Sequence, residues 1–182
     1  MKVCSLTKDD GDDITMAKAL CIIDMQYHFY AARSTRTARA VCREVRQAKE
    51  NGWPILLVEY RMWNPKPTRP MILKEIGDYP KYHHVMKAGV DGSTEILAAM
   101  SLWDVKATRL RVCGVETNVC IRETIKALRY KRPEMEIELV ADACNSARHS
   151  GAKDPIERKD AQQAVQQHLF ELQGVLGDVE IV

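Results

Sequence analysis

Three residues of this chain, Asp24, Lys87 and Cys120, have the types that thiol-based acyl transfer needs. Cys120 lies in the stretch VCGVETNVCIRETIKALRY, residues 112–130. That stretch reads as a strand, a short turn, and a helix with the cysteine in its first turn. Most buried cysteines are inert small hydrophobes. A cysteine at a helix N-terminus differs, because the helix dipole favours its thiolate. Asp24 closes an apolar run, where an acid alone would simply cap a turn. Lys87, in HHVMKAGV, would alone be a solvated loop lysine. Brought together, the three make chemical sense. The carboxylate can take the thiol proton, and the ammonium and the helix dipole can stabilise the thiolate. Backbone N–H groups at the helix start can hold an oxyanion. On this reading the thiol drops from the free value of about 8.5 toward roughly 3.5–7.5.

The elements that must position these residues alternate between two periods. AKALCIID (17–24) is a short apolar run without period, the pattern of a central strand buried on both faces. Residues 37–52 carry Ala38, Val41, Cys42, Val45 and Ala48 at helical spacing, and Asn51-Gly52 stops them. PILLVEY (54–60) is a second buried strand. Residues 61–81 are rich in proline, lack a clear period, and read as a long loop; His83 and His84, just beyond it, also read as loop residues. Residues 93–105 form a helix capped by Ser93, with Glu95 in its first turn. TRLRVCG (108–114) is a strand. EMEIELVADA (134–143) alternates apolar residues with glutamate, which predicts a strand with one wet face near a sheet edge. Residues 155–174 form a last amphipathic helix with His168 packed against the sheet, and DVEIV a last strand. Such alternation predicts an α/β fold, a parallel sheet with helices on both faces. Sites in these sheets lie at the carboxyl ends of the strands. Asp24, Tyr60 and Arg61, and Gly114 to Thr117 all fall there.

Bulk properties exclude several classes. The 182 residues suit a single domain, 1–182, with 1–16 a loose N-terminal extension. A net charge of +2, with both signs interspersed, argues against nucleic acid or a membrane surface as partner. No apolar run approaches the ~20 residues of a membrane span. The N-terminus MKVCSLTKDDGDD has acids where a secretory signal would be apolar. The six cysteines form no CxxC pair, which fits free thiols in a cytoplasmic protein. Cys113 and Cys144 read as core thiols, and Asp142 as a loop anchor.

CIIDMQYHF, a lysine before a capped helix, and VCGVETNVCIRETIKALRY followed by ELVADAC together resemble the isochorismatase-like cysteine hydrolase family. Nicotinamidases, carbamoyl-sarcosine amidases and ureidoacrylate-type hydrolases belong to it. The family pattern D-x-Q-x-x-F falls on Asp24, Gln26 and Phe29, its lysine on Lys87, and G-V-x-T-x-x-C-V-x-x-T on Gly114, Val115, Thr117, Cys120 and Thr124. The resemblance implies a three-layer α/β/α fold with a six-stranded parallel sheet. It also implies a cis peptide at Val115–Glu116, an oxyanion hole from the amides of Val119 and Cys120, and a homo-oligomer, dimer or tetramer. A small substrate would meet Gln26, Phe29, Tyr60, Arg61, Trp63 and Thr117.

The departures narrow the chemistry. Metal-binding nicotinamidases carry D-x-H after strand two, where this chain has EYRMWNP, with Arg61 and Trp63 in the ligand positions. Neither side chain suits a divalent metal, so no metal and no cofactor are expected. His28 stands where many relatives have an acid. Two function classes follow. One is a metal-independent cysteine amidohydrolase acting on a small amide, carbamoyl or ureido C–N bond. The other is a binding or scaffold protein on the same fold. Arg61 either points to solvent from the proline-rich loop or, with its planar fork of donors, grips a substrate carboxylate.

Overall fold

The computed structural model describes residues 17–64, 66–146, 173 and 179–182. Every residue of β1 (Lys18–Ile23) after the first is buried, as expected of a strand covered on both faces. It lies inside a parallel six-stranded sheet of order β3-β2-β1-β4-β5-β6. The other strands are β2 (Ile55–Tyr60), β3 (Tyr82–Lys87), β4 (Arg109–Val115), β5 (Glu136–Asn145) and β6 (Val179–Ile181). Strand order reverses between β1 and β4, and that switch opens a crevice at their carboxyl ends.

Among the described residues, two of the α-helices pack on each face. On one, α1 (Thr35–Glu50) and α2 (Pro70–Ile76) bury Val41, Val45, Ile72 and Ile76 against Leu20, Ile22 and Leu57. On the other, α3 (Ser93–Leu102) and α4 (Arg122–Lys131) bury Ile96, Ile125 and Leu128 against Cys21, Ile23 and Val58. This is the three-layer α/β/α arrangement. Helix α1 begins two residues earlier than its apolar period suggests, because the Ser34 hydroxyl accepts from the Thr37 amide at 3.2 Å.

Several expectations need correction. The proline-rich stretch contains α2, since Pro70 takes the first helical position, where it lacks only an N–H that has no partner anyway. His83 and His84 lie in β3, not in a loop: His83 stacks on Trp103 with centroids 4.5 Å apart, and His84 pairs with Glu59 at 3.0 Å. Ser93 is not the cap of α3. Gly92 holds that position, and Asp91 accepts from the Ser93 amide at 2.7 Å. β5 is next to the edge as expected, but Glu138 on it is buried in an ion cluster rather than wet. Asp142 is a strand residue paired with Arg43 of α1. The extension 1–16, most of the helix expected at 155–174, and His168 lie outside the described residues. Among the described residues no helix is long and apolar enough to cross a membrane.

Candidate active site

β1 ends at Ile23, and Asp24 follows with φ 54°, a left-handed conformation uncommon for a side-chain-bearing residue. Its amide is held by the Val58 carbonyl at 2.9 Å. Lys87, the last residue of β3, comes across β2 to place Nζ 2.9 Å from Asp24 Oδ2. Both side chains have zero exposure. The ammonium also donates to the carbonyls of Gly89 at 3.0 Å and Val90 at 3.3 Å. These divide its donors, and neither Asp24 oxygen has an aligned hydrogen bond. Nζ lies 4.9 Å from the centre of the Tyr60 ring, a cation–π contact. Gly92 makes room for the lysine: a Cβ there would lie 2.9 Å from Lys87 Cδ.

Cys120 arrives from β4. The Val115–Glu116 peptide is cis, and residues Thr117–Ile121 form a single π-helical turn leading into α4. This brings the thiol within hydrogen-bonding reach of the Asp24 carboxylate, near the Lys87 charge. Gly114 has φ 122°, and a Cβ on it would fall 2.1 Å from the Ile23 carbonyl oxygen, so β4 approaches β1 here only because the residue is glycine.

Burial dominates the electrostatics. It raises the Asp24 carboxyl above the ordinary carboxylate value, although the Lys87 charge, hydrogen bonding to Lys87 and Cys120, and the field of His28 all pull it down. The Cys120 thiol is pushed up to about 11 by burial first, then by the Asp24 charge and hydrogen bond. Lys87 and the Glu116 backbone only partly oppose this. The expected lowering by a helix terminus and a cation is therefore reversed. At rest the site holds a neutral thiol beside a buried ion pair.

The remaining predicted residues divide. Phe29 and Tyr60 form a wall, rings edge-on with centroids 6.4 Å apart. Gln26 is buried, and its amide clamps the Tyr60 backbone, accepting at 2.7 Å and donating at 3.2 Å, so it fixes the end of β2. Thr117 is likewise buried, its hydroxyl donating to the Asn145 carbonyl at 2.8 Å. The Val119 amide donates to the Glu116 carbonyl at 3.1 Å and is not free to hold an oxyanion in this state. The Arg61 side chain is exposed, its backbone amide bonded to the Lys87 carbonyl at 2.9 Å. Trp63 does not supply the expected wall: it is 103% exposed. Sequence reasoning missed Glu59, which accepts from the Thr68 amide at 2.8 Å and hydroxyl at 2.7 Å and so ties Thr68 to the end of β2. An acid at the second-last position of an otherwise apolar strand was the available signal. It missed Gly92 as well, whose amide donates to Thr124 Oγ1 at 3.0 Å, joining α3 to α4.

The model of the isochorismatase domain matches residues 18–168. The chain belongs to the isochorismatase family. An isochorismatase from Pseudomonas putida KT2440 superposes with a TM-score of 0.67 at 18% identity, over 92% of this chain and 88% of that one. The pyrazinamidase/nicotinamidase of Streptococcus mutans UA159 gives 0.66 at 18%, over 91% and 100%. The YcaC gene product of Escherichia coli, described as an octameric hydrolase of unknown specificity, gives 0.62 at 16%, over 91% and 74%. At these identities the likeness is one of fold. No curated protein matches the chain in sequence.

Some isochorismatase-family members hold a metal, and the residues here do not fit one. At the positions of the ligands stand Arg61, a cation, and Trp63, which has no lone pair to give. Among the described residues no group of three or more His, Cys, Asp or Glu could hold an ion.

Proposed function

We propose that this protein is a cysteine amidohydrolase that opens a small amide, carbamoyl or ureido C–N bond without a metal. The observation that carries this reading is the fully buried Asp24–Lys87 pair at 2.9 Å with the Cys120 thiol against its carboxylate. A buried ion pair of this kind is weak support for a fold but well suited to moving a proton. Sγ attacks the substrate carbonyl carbon while its proton passes to Asp24. The Cys120 amide, at the helix start, faces the developing oxyanion. Asp24 then gives the proton to the leaving nitrogen as the C–N bond breaks, leaving a thioester on Cys120. Water attacks the thioester, Asp24 takes its proton, and the acid product leaves as the thiol is restored. The Lys87 charge favours the ionised carboxylate and opposes the effect of burial. Since thiol and base are neutral and charged at rest, proton transfer accompanies attack rather than preceding it.

Amide-type chemistry is favoured over cleavage of a vinyl ether because a thiol stands at the proton-accepting carboxylate. Arg61, exposed at the mouth beside Tyr60, is assigned to a substrate carboxylate. The protein is also assigned to a homo-oligomer, dimer or tetramer, on two grounds: the exposure of Trp63 and Leu102, and the octamer described for the YcaC product. Light scattering checks the assembly, and a monomer at all concentrations would refute it.

The deciding experiment is mass spectrometry of quenched turnover on a panel of small carboxylated amides and ureido acids. A substrate-derived acyl mass on the Cys120 peptide is expected, together with loss of turnover in a folded Cys120→Ala variant. Full activity in that variant would sink the mechanism.

A further inference from the structure

One half-buried polar side chain near the ion pair, its ring nitrogens covered, has no part in that mechanism. His28 sits on the turn after β1, four residues beyond Asp24. Its ring packs on Phe29 with centroids 4.1 Å apart, Phe29 meets Tyr60 edge-on, and Lys87 Nζ lies over Tyr60. A continuous aromatic wall thus runs from the turn to the ion pair, and His28 is its polar end. Both imidazole nitrogens are buried with no hydrogen-bond partner among the described residues, whereas Asp24 is ion-paired to Lys87 at 2.9 Å but has no aligned hydrogen bond to either oxygen. Buried polar atoms without partners are rare in native proteins, and the His28 nitrogens, within the field of the Asp24 carboxylate, call for a bound group beside the ion pair. The charged groups acting on His28 are the anions Asp24 and Glu59 and the cation Lys66. Burial outweighs them and lowers the imidazole's pKa. The ring is then neutral, with one N–H to donate and one lone pair to accept.

We propose that His28 is a substrate-binding residue that accepts an N–H of a carbamoyl or primary ureido group, while the Asp24 carboxylate accepts the other. This rests on the hydrolase reading and narrows it. The preferred substrates carry –C(=O)–NH2, which offers one N–H to each of the two acceptors. N,N-dialkyl analogues offer none. The nitrogen so held is the one that receives the proton from Asp24 and leaves.

The test compares wild type with His28→Phe, which keeps the ring on Phe29 but removes both nitrogens, and His28→Gln, which restores an acceptor. Each is assayed on an N-carbamoyl amino acid and its N′,N′-dimethyl counterpart. For the carbamoyl substrate, KM in His28→Phe should rise about tenfold with kcat changed less than about threefold, and His28→Gln should recover most of the loss. The dimethyl compound should be treated alike by all three. Equal discrimination by wild type and a folded His28→Phe overturns the inference and leaves the hydrolase reading standing. If wild type turns over neither compound nor any other amide, the hydrolase reading falls and this inference with it. Should His28→Phe not fold, N-carbamoylglycine added to Cys120→Ala must shift the His28 ring ¹⁵N resonances, and unmoved resonances overturn the assignment.

Discussion

Asp24 acts on Cys120 in two opposed ways, and the opposition can be measured. As base it makes the thiol useful, yet as a neighbouring anion and acceptor it holds the thiol proton on, with the pKa at about 11. Replacing Asp24 by Asn removes the charge, so the thiol pKa must fall. Alkylation by iodoacetamide at pH 8.5 should become faster in Asp24→Asn than in wild type, even as turnover is lost by about 100-fold or more. Slower alkylation, or retained turnover, would contradict the assignment of the carboxylate as base. Slow alkylation of the resting wild-type enzyme is therefore the expected behaviour of a working site, not a sign of an inert one. At the mouth, Arg61 gives a second residue-level prediction. An exposed arginine on a carboxylate is partly screened, so Arg61→Ala should raise KM for carboxylated amides by about 3–10-fold while kcat changes little. Matched neutral amides should be unaffected. Equal discrimination by the two enzymes would remove Arg61 from the substrate site.

Between elements, two glycines hold close contacts of different kinds. Gly114→Ala places a methyl on the Ile23 backbone at a φ that side chains rarely adopt. It should destabilise the fold by about 2–5 kcal/mol in urea titration. Gly92→Ala crowds only the stem of Lys87, with Thr124 and Val58 at ordinary contact distance, so it should lower kcat more than it lowers stability, by tilting the ammonium away from Asp24. Comparable stability losses for the two variants would mean that Gly92 does not serve the lysine. These contacts also mark what the sequence could convey. The sheet, its two helical layers and the convergence of Asp24, Lys87 and Cys120 were legible, because each rests on local period and strand-end position. Helix α2 was hidden by its prolines, although Ile72 and Ile76 stand one turn apart and Pro70 suits a first helical position. The direction of the Cys120 shift was not legible, because burial and the distance to Asp24 are tertiary quantities. Gln26 and Thr117 match a motif, but only coordinates show them binding strand ends rather than facing the cleft.

Across the whole molecule, chemistry and strength sit at opposite edges of the sheet. The carboxyl edge holds the strained, buried, partly unpaired groups of the site. Toward the amino edge, Glu138 of β5 gathers Lys18 of β1 at 2.7 Å and Arg109 and Arg111 of β4 at 2.9 Å each. Arg111 continues to Glu44 of α1. The cluster straps three strands to a helix, and only 3% of Glu138 is exposed. Burial works to raise its carboxyl, but hydrogen bonds from Lys18, Arg111 and Arg109 hold it below the ordinary glutamate value. A carboxylate whose folded pKa lies below its unfolded one stabilises fully above the unfolded value, about 4.3. That contribution disappears as pH falls through the folded value. Glu138→Gln leaves three cations without their shared acceptor and should cost on the order of 3 kcal/mol at pH 7. Its deficit relative to wild type should shrink progressively below pH 4, since wild type then loses the same charge. Urea titrations of both proteins from pH 7 to pH 3 read this directly, and a deficit constant with pH would show that packing, not charge, gives Glu138 its role. Because the strap lies across the sheet from Cys120, the variant should keep wild-type kcat wherever it remains folded. A stiff amino edge thus allows the site edge to carry a left-handed Asp24 and unpaired polar atoms without loss of the fold.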